Sequence, residues 1–253
     1  SEMCIRDSSY INEVMGAEKK KENLKDIFSV FRDFRNYLGE AYLQFGEPIN
    51  LNALLKEYPL SDYSSEKDWL FKVTPVLGKK IMTTINDSTV VTSTALFSLA
   101  ILNSDGFSIS NQELVSRIEL LKSLLAEDKY SAKTLICEKT GEEIIDQMRK
   151  LGFLSKEGIN DRISLTNLEA AKLSFYRNNI SHLLIFESLI CGFFQYQKEI
   201  VKEDLLQSIK MIYPFLKEEF FLKWDEADLD RLINLKLSNC LLYTSDAADE
   251  LSS

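Results

Sequence analysis

The one histidine of the 253-residue chain, His182, lies in Tyr176-Arg177-Asn178-Asn179-Ile180-Ser181-His182. Leu183-Leu184-Ile185-Phe186-Glu187 follows it. A histidine held by a carboxylate can act as a general base near neutral pH. The spacing here is H-x-x-x-x-E, which on a helix leaves the two side chains ~140° apart around the axis. They do not face each other, and no second His or Cys stands nearby at metal-ligand spacing. Arg177 has the forked geometry that binds carboxylate or phosphate. In an acidic chain it more commonly pairs with an acidic side chain. Asn178 and Asn179 are poor helix formers, so they predict a local break or buried hydrogen bonds. The favoured reading of His182 is a satisfied histidine on the flank of a buried helix. No Gly-rich phosphate loop, nucleophile elbow or metal-ligand array is present. The residues by themselves therefore assign no catalytic, cofactor-binding or metal-binding side chain.

The surrounding composition sets what must position this cluster. Hydrophobic residues make up 45% of the chain and charged residues 27%, with only four prolines, which favours a mainly α fold. The net charge of -9 lacks the positive field expected of a nucleic-acid binder. No run of ~18 uncharged apolar residues reads as a bilayer-spanning helix.

The two ends share one DNA word. Cys240-Leu241-Leu242-Tyr243-Thr244-Ser245 can be encoded by TGTCTCTTATACACATCT. Its reverse complement, read from the third base, gives Met-Cys-Ile-Arg-Asp, the residues Met3 to Asp7. The word resembles a transposon-end adapter used in sequencing libraries. Residues 1–8 and 240–253 are therefore expected to be translated adapter and are set aside from fold reasoning. Setting aside the net -1 of residues 1–8 and the net -3 of residues 240–253 leaves -5 for residues 9–239. Cys137 and Cys191 then remain, too few and too far apart for a disulfide framework, which points to a reducing compartment.

Periodicity predicts a helix over 18–38, from Leu24, Ile27, Phe28, Phe31, Phe34 and Leu38. Ala41–Phe45 reads as a short strand, Gly46-Glu47-Pro48 as a turn, and Leu51–Tyr58 as a helix capped by Asn50. Trp69–Asn86 reads as a helix interrupted near Pro75. Val90–Asn103 is apolar with β-branched residues early, and its length favours a buried helix. Ser110 caps a helix over Glu113–Ala126, and Gly152 ends one over Glu142–Leu151. Phe153-Leu154, a Gly158 turn and Arg162–Leu165 read as a small hairpin, giving a winged-helix-like sketch. Its acidic Glu142, Glu143 and Asp146 favour packing over nucleic-acid binding. Leu168 to about Gln197 is the longest helical pattern. Glu203–Tyr213 follows, broken at Pro214, and Asp228–Leu237 is the last helix. The aromatic stretch 211–224 reads as core packing, or alternatively as a surface where aromatics and lysines meet lipid.

Three segments carry a resemblance. They are Phe45-Gly46-Glu47-Pro48-Ile49, Phe175 to Leu184, and Ile212-Tyr213-Pro214-Phe215-Leu216-Lys217-Glu218-Glu219-Phe220-Phe221-Leu222-Lys223-Trp224-Asp225. In order and interval they resemble the C-terminal region of the bacterial membrane-bound glycerol-3-phosphate 1-acyltransferase family, over about residues 9–239. The resemblance implies a multi-helix region with a small β-hairpin that packs on an α/β acyltransferase domain absent from this chain. It implies acyl transfer from acyl-CoA or acyl-carrier protein to glycerol 3-phosphate, the first step of phospholipid synthesis. It also implies the cytoplasmic face of the inner membrane as the location, a membrane surface as a partner, no cofactor and no nucleic acid. The family's H-x-x-x-x-D motif is absent here. His182 lies after the family's catalytic blocks, so no catalytic role is carried onto it, and the chain by itself is expected to be inactive. Tyr176, Arg177, Asn178, Asn179 and His182 are expected to stiffen or edge a contact with the missing domain. The competing expectation is a stand-alone helical interaction or regulatory module.

Overall fold

A computed structural model describes residues 40–154, 161–196 and 201–238. The expected helix over 18–38 and both adapter-like ends lie outside the described residues. The chain forms two units, which interleave along the sequence. The described part of the first unit holds residues 40–43, 90–128, 135–154 and 161–180, and that of the second holds 44–89, 129–134, 181–196 and 201–238.

The first unit is built around a helix with no charged residue. β1 (Val90–Val91) runs into α3, named in chain order after α1 (Leu51–Glu57) and α2 (Glu66–Asp87) of the second unit. α3 spans Ser93–Leu102, and the Thr92 hydroxyl caps it by accepting from the Ala95 N–H at 3.2 Å. Leu96, Phe97 and Ile101 are wholly buried, and Ala95 and Ala100 let neighbours approach. α4 (Asn111–Glu127), α5 (Gly141–Lys150) and α6 (Asn167–Asn178) pack around it. The β-branched start of the expected helix thus became a two-residue strand, with the helix beginning at Ser93. That strand is parallel to β3 (Leu135–Ile136).

The ends of these helices follow from their sequences. Ser110 caps α4, and Thr140 with Glu143 forms a reciprocal capping box at α5. Gly152, at φ 79°, lies just beyond the end of α5, where a left-handed residue is needed. The expected hairpin is corrected. β4 (Arg162–Ser164) pairs antiparallel with β2 (Ser108–Ser110), with Ile109 opposite Ile163. Both isoleucines are buried, so hydrophobic register chose the distant strand over the adjacent Phe153-Leu154. Helix, strand, two helices and a returning strand make a winged-helix-like arrangement. The outward side of α5 carries Glu142, Glu143, Asp146, Arg149 and Lys150.

In the second unit Asn50 caps α1 and Ser65 caps α2. α2 runs unbroken through Pro75, against expectation. Proline removes one donor, but the carbonyl left over belongs to Phe71, which is exposed and can meet water. A 3-10 turn at Ser181–Leu184 leads into α7 (Ile185–Tyr196). The single long helix expected over 168–197 is therefore two, α6 and α7, parted at Asn178-Asn179 as the asparagines suggested. α8 (Lys202–Phe220) passes through Pro214, which was expected to break it. Pro214 and Lys210, whose carbonyl it cannot bond, are both exposed. α9 follows over residues 229–238. Ala41–Phe45 forms no strand, and Leu43 and Phe45 stand exposed. Gly46 is required, because a Cβ there would lie 2.3 Å from the Thr84 methyl.

Candidate functional site

The polar residues singled out by type separate between the units. Tyr176 to Ile180 belong to the first and Ser181 with His182 to the second. In the first, the Arg177 guanidinium donates to Asn178 Oδ1 at 3.2 and 3.1 Å, and the Tyr176 ring meets Phe153 and Phe175 edge-on.

His182 enters a cluster within the second unit. It is 5% exposed, on the 3-10 turn before α7. Its Nε2 lies 3.2 Å from Thr89 Oγ1. Tyr130 meets its ring edge-on at 5.1 Å, and Trp224 meets Tyr130 at 4.7 Å. The Lys223 ammonium lies 4.3 Å above the Tyr130 ring. It donates to Asp87 Oδ1 at 2.9 Å and to the Tyr130 carbonyl. Asn86 donates to the Phe220 carbonyl at 2.7 Å. That contact pins the end of α8, where Phe221 turns left-handed at φ 50°. The Tyr213 hydroxyl donates to the Trp224 carbonyl at 2.7 Å.

Burial governs the titration of this cluster. It holds His182 below the ordinary histidine range, at about 4, with Lys223 adding to the effect. The Asn86 main chain and the Asp87 charge pull the other way but do not prevail. Burial also pushes the Tyr130 phenol up to about 12. A general base works best with a pKa near the working pH, so a histidine at about 4 is a weak one. At neutral pH the ring is an uncharged hydrogen-bonding and packing element.

Glu187 lies elsewhere. It pairs with Lys236 of α9 at 2.6 Å, and both side chains are almost wholly buried. The second Glu187 oxygen has no hydrogen-bond partner among the described residues. His182 and Glu187 thus serve different partners, as their angular separation predicts. Sequence reasoning missed Lys236 and Asp87. A signal existed for the first: Leu229, Leu232, Ile233 and Lys236 share one helical register. So do Leu183, Glu187 and Ile190, and two opposite charges in core registers predict each other. Asp87 carried no such signal, since it ends a helix at a position ordinarily solvated.

Cys137 is buried with its sulfur 3.1 Å from Ser93 Oγ, while Cys191 is exposed. Among the described residues no three His, Cys, Asp or Glu side chains gather as a metal site. No helix among them is long and apolar enough to cross a membrane.

The model of the glycerol-3-phosphate acyltransferase C-terminal region matches residues 10–244. The chain belongs to that family. Curated glycerol-3-phosphate acyltransferases are similar across 92% of the chain: that of Pseudomonas putida strain GB-1 is 29% identical over 241 residues. Those of Pseudomonas paraeruginosa and Pseudomonas aeruginosa strain LESB58 are each 28% identical over 242 residues. The chain spans 29% of the length of each of these relatives. No solved structure matches. The acyltransferase C-terminal region here is thus mainly helical, with two small two-stranded sheets among its described residues. Its Tyr-Arg-Asn-Asn segment coincides with the passage between the units.

Proposed function

We propose that this C-terminal region is part of an enzyme that transfers an acyl group to the first hydroxyl of glycerol 3-phosphate. The donor is acyl-CoA or acyl-carrier protein, and the reaction opens phospholipid synthesis at the cytoplasmic face of the inner membrane. The family match over residues 10–244 carries this reading. Within the enzyme the region has a structural part, packing against the acyltransferase domain that supplies the chemistry. Two observations support that division. The chain has one histidine and no H-x-x-x-x-D sequence, and that histidine is buried, neutral and engaged with Thr89 and Tyr130. Arg177, Asn178 and Asn179, half-exposed or exposed at the end of α6, are suited to the edge of the interdomain contact. The matched span reaches residue 244 and so takes in the first residues of the end expected to be translated adapter.

Two measurements test it. The purified chain, given glycerol 3-phosphate and radiolabelled acyl-CoA, is expected to yield no lysophosphatidic acid. Product formation would show that the chemistry resides here after all. Sequencing the flanking DNA is expected to reveal an upstream H-x-x-x-x-D followed by arginine-containing motifs. An in-frame start near Ser9 would instead make the region a stand-alone module.

A further inference from the structure

Helix α9 buries a lysine where its sequence offers a leucine on either side. Leu229, Leu232, Ile233 and Lys236 are its buried residues. On a helix the first three lie within about 60° of Lys236 around the axis, so the lysine occupies the middle of the inward side. Leu235 and Leu237 stand about 100° away, one on each flank. Leu235 is exposed and Leu237 half-buried. Turning α9 about its axis by roughly 60° would bring Leu229, Ile233 and Leu237 inward and carry Lys236 towards water. That second orientation buries as many large apolar side chains and desolvates no lysine. The hydrophobic effect and the solvation of charge therefore both permit it, yet the structure adopts the first.

Two ion pairs within the second unit separate the orientations. Lys236 meets Glu187 of α7 at 2.6 Å, both almost wholly buried. Glu187 is fixed inward by its own helix, on which Phe186 and Ile190 are also buried. Asp230, about 120° from Lys236 on the Leu237 flank, pairs with Lys210 of α8 at 2.8 Å nearer the surface. The turn that frees Lys236 would break the first pair. It would also swing Asp230 inward and away from Lys210.

We propose that the Glu187–Lys236 pair is an orientation lock, which sets the rotation of α9 about its own axis rather than holding α9 to the unit. A buried ion pair offsets its own desolvation only where its spare lone pairs are satisfied. Here one Glu187 oxygen has no partner among the described residues, so the pair is a poor source of net stability. What it supplies is discrimination, because in the turned orientation Glu187 stays buried on α7 without its cation. A polar residue in a helix–helix seam fixes register in the same way. The two partners are not equivalent. Removing the lysine strands a carboxylate that α7 cannot release. Removing the carboxylate strands a lysine that a turn of α9 delivers to solvent.

The test follows the reaction of Lys236 with an amine-reactive ester, mapped by mass spectrometry, beside amide hydrogen exchange over α9 in the full 253-residue chain. A buried amine reacts only from states that expose it. In the wild-type chain Lys236 is expected to react far more slowly than the exposed Lys72, and equal rates would overturn the proposal. Glu187→Leu is expected to raise the Lys236 rate by about tenfold or more, a change of about 1.4 kcal/mol, while α9 keeps its exchange protection. If Lys236 stays unreactive in that variant, the pair does not set the orientation. If Lys236 reacts only together with loss of α9 protection, the pair holds the helix in place and the proposal fails. The reversed pair, Glu187→Lys with Lys236→Glu, keeps the interaction and tests the proposal even where Glu187→Leu does not fold. Its amine at position 187 is expected to be slow and α9 protected. An amine there as fast as Lys72 would overturn the proposal as well.

Discussion

The two units are held by different physics. α3, at the centre of the first, is an uncharged helix whose neighbours are Leu, Ile and Met. The interior of the second admits His182, Glu187, Lys236 and Asn86, each tied to a named partner. Apolar packing is insensitive to pH and forgiving of shape-conserving change. Buried polar pairs are the opposite, because losing one member strands the other. The first unit should therefore fail by loss of volume, and the second by loss of a partner or a change of charge.

The largest expected effect breaks the second unit at its ion pair. Lys236→Met leaves the Glu187 carboxylate buried alone and should cost about 3–5 kcal/mol. Hydrogen exchange would show protection lost over α7 and α9 and retained over α3. Adding Glu187→Leu should restore most of that protection. If the double variant is as unstable as the single one, the pair is not what destabilises it.

Phe97→Ala tests the other side of the contrast. Removing a wholly buried ring should cost about 3–4 kcal/mol, read as earlier urea unfolding of the first unit. The loss should be the same at pH 5 and pH 8. A pH-dependent loss would blur the distinction drawn here.

Acid should loosen the second unit specifically. His182 titrates at about 4 when folded and near 6.5 when unfolded. Between these values the unfolded chain binds the extra proton, so stability falls as pH falls. The loss begins below about 6.5, is complete near 4 and amounts to at most about 3 kcal/mol. His182→Gln should flatten this slope in a pH series of thermal unfolding, and an unaltered slope would place the acid sensitivity elsewhere. The smallest effect is at a helix end. Thr166 caps α6 through the Glu169 N–H, and Thr166→Ala should cost about 1 kcal/mol of first-unit stability.

Much of this architecture was legible because short-range signals decided it. Ser110, Asn50 and Gly152 marked helix ends that the structure keeps, and Asn178-Asn179 marked the break after α6. The misjudged positions were those where distant residues decide. Pro75 and Pro214 proved compatible with continuous helices because each leaves its unbonded carbonyl on a solvated side. β4 chose β2 over its sequence neighbour through Ile163 and Ile109, a pairing across more than fifty residues that periodicity cannot see. The aromatic stretch divided: Tyr213 and Trp224 entered the polar cluster, while Met211 and Phe215 stayed exposed. Local pattern records what each turn prefers, but not which of several apolar side chains finds a place inside.

The interleaving of the units also imposes an order of manufacture. The described first unit has all its segments by residue 180, whereas the second needs residues 44–89 and the chain through 238. α2 therefore leaves the ribosome early and meets its partner α8 late. At ordinary rates of translation the roughly 150 residues between residues 89 and 238 take about 7–30 s. During that interval both sides of α2 are bare, including the one that later stays outward. A nascent chain therefore carries α2 for seconds without Glu218 and the Phe220 carbonyl, the partners of Lys79 and Asn86, before its second unit can close.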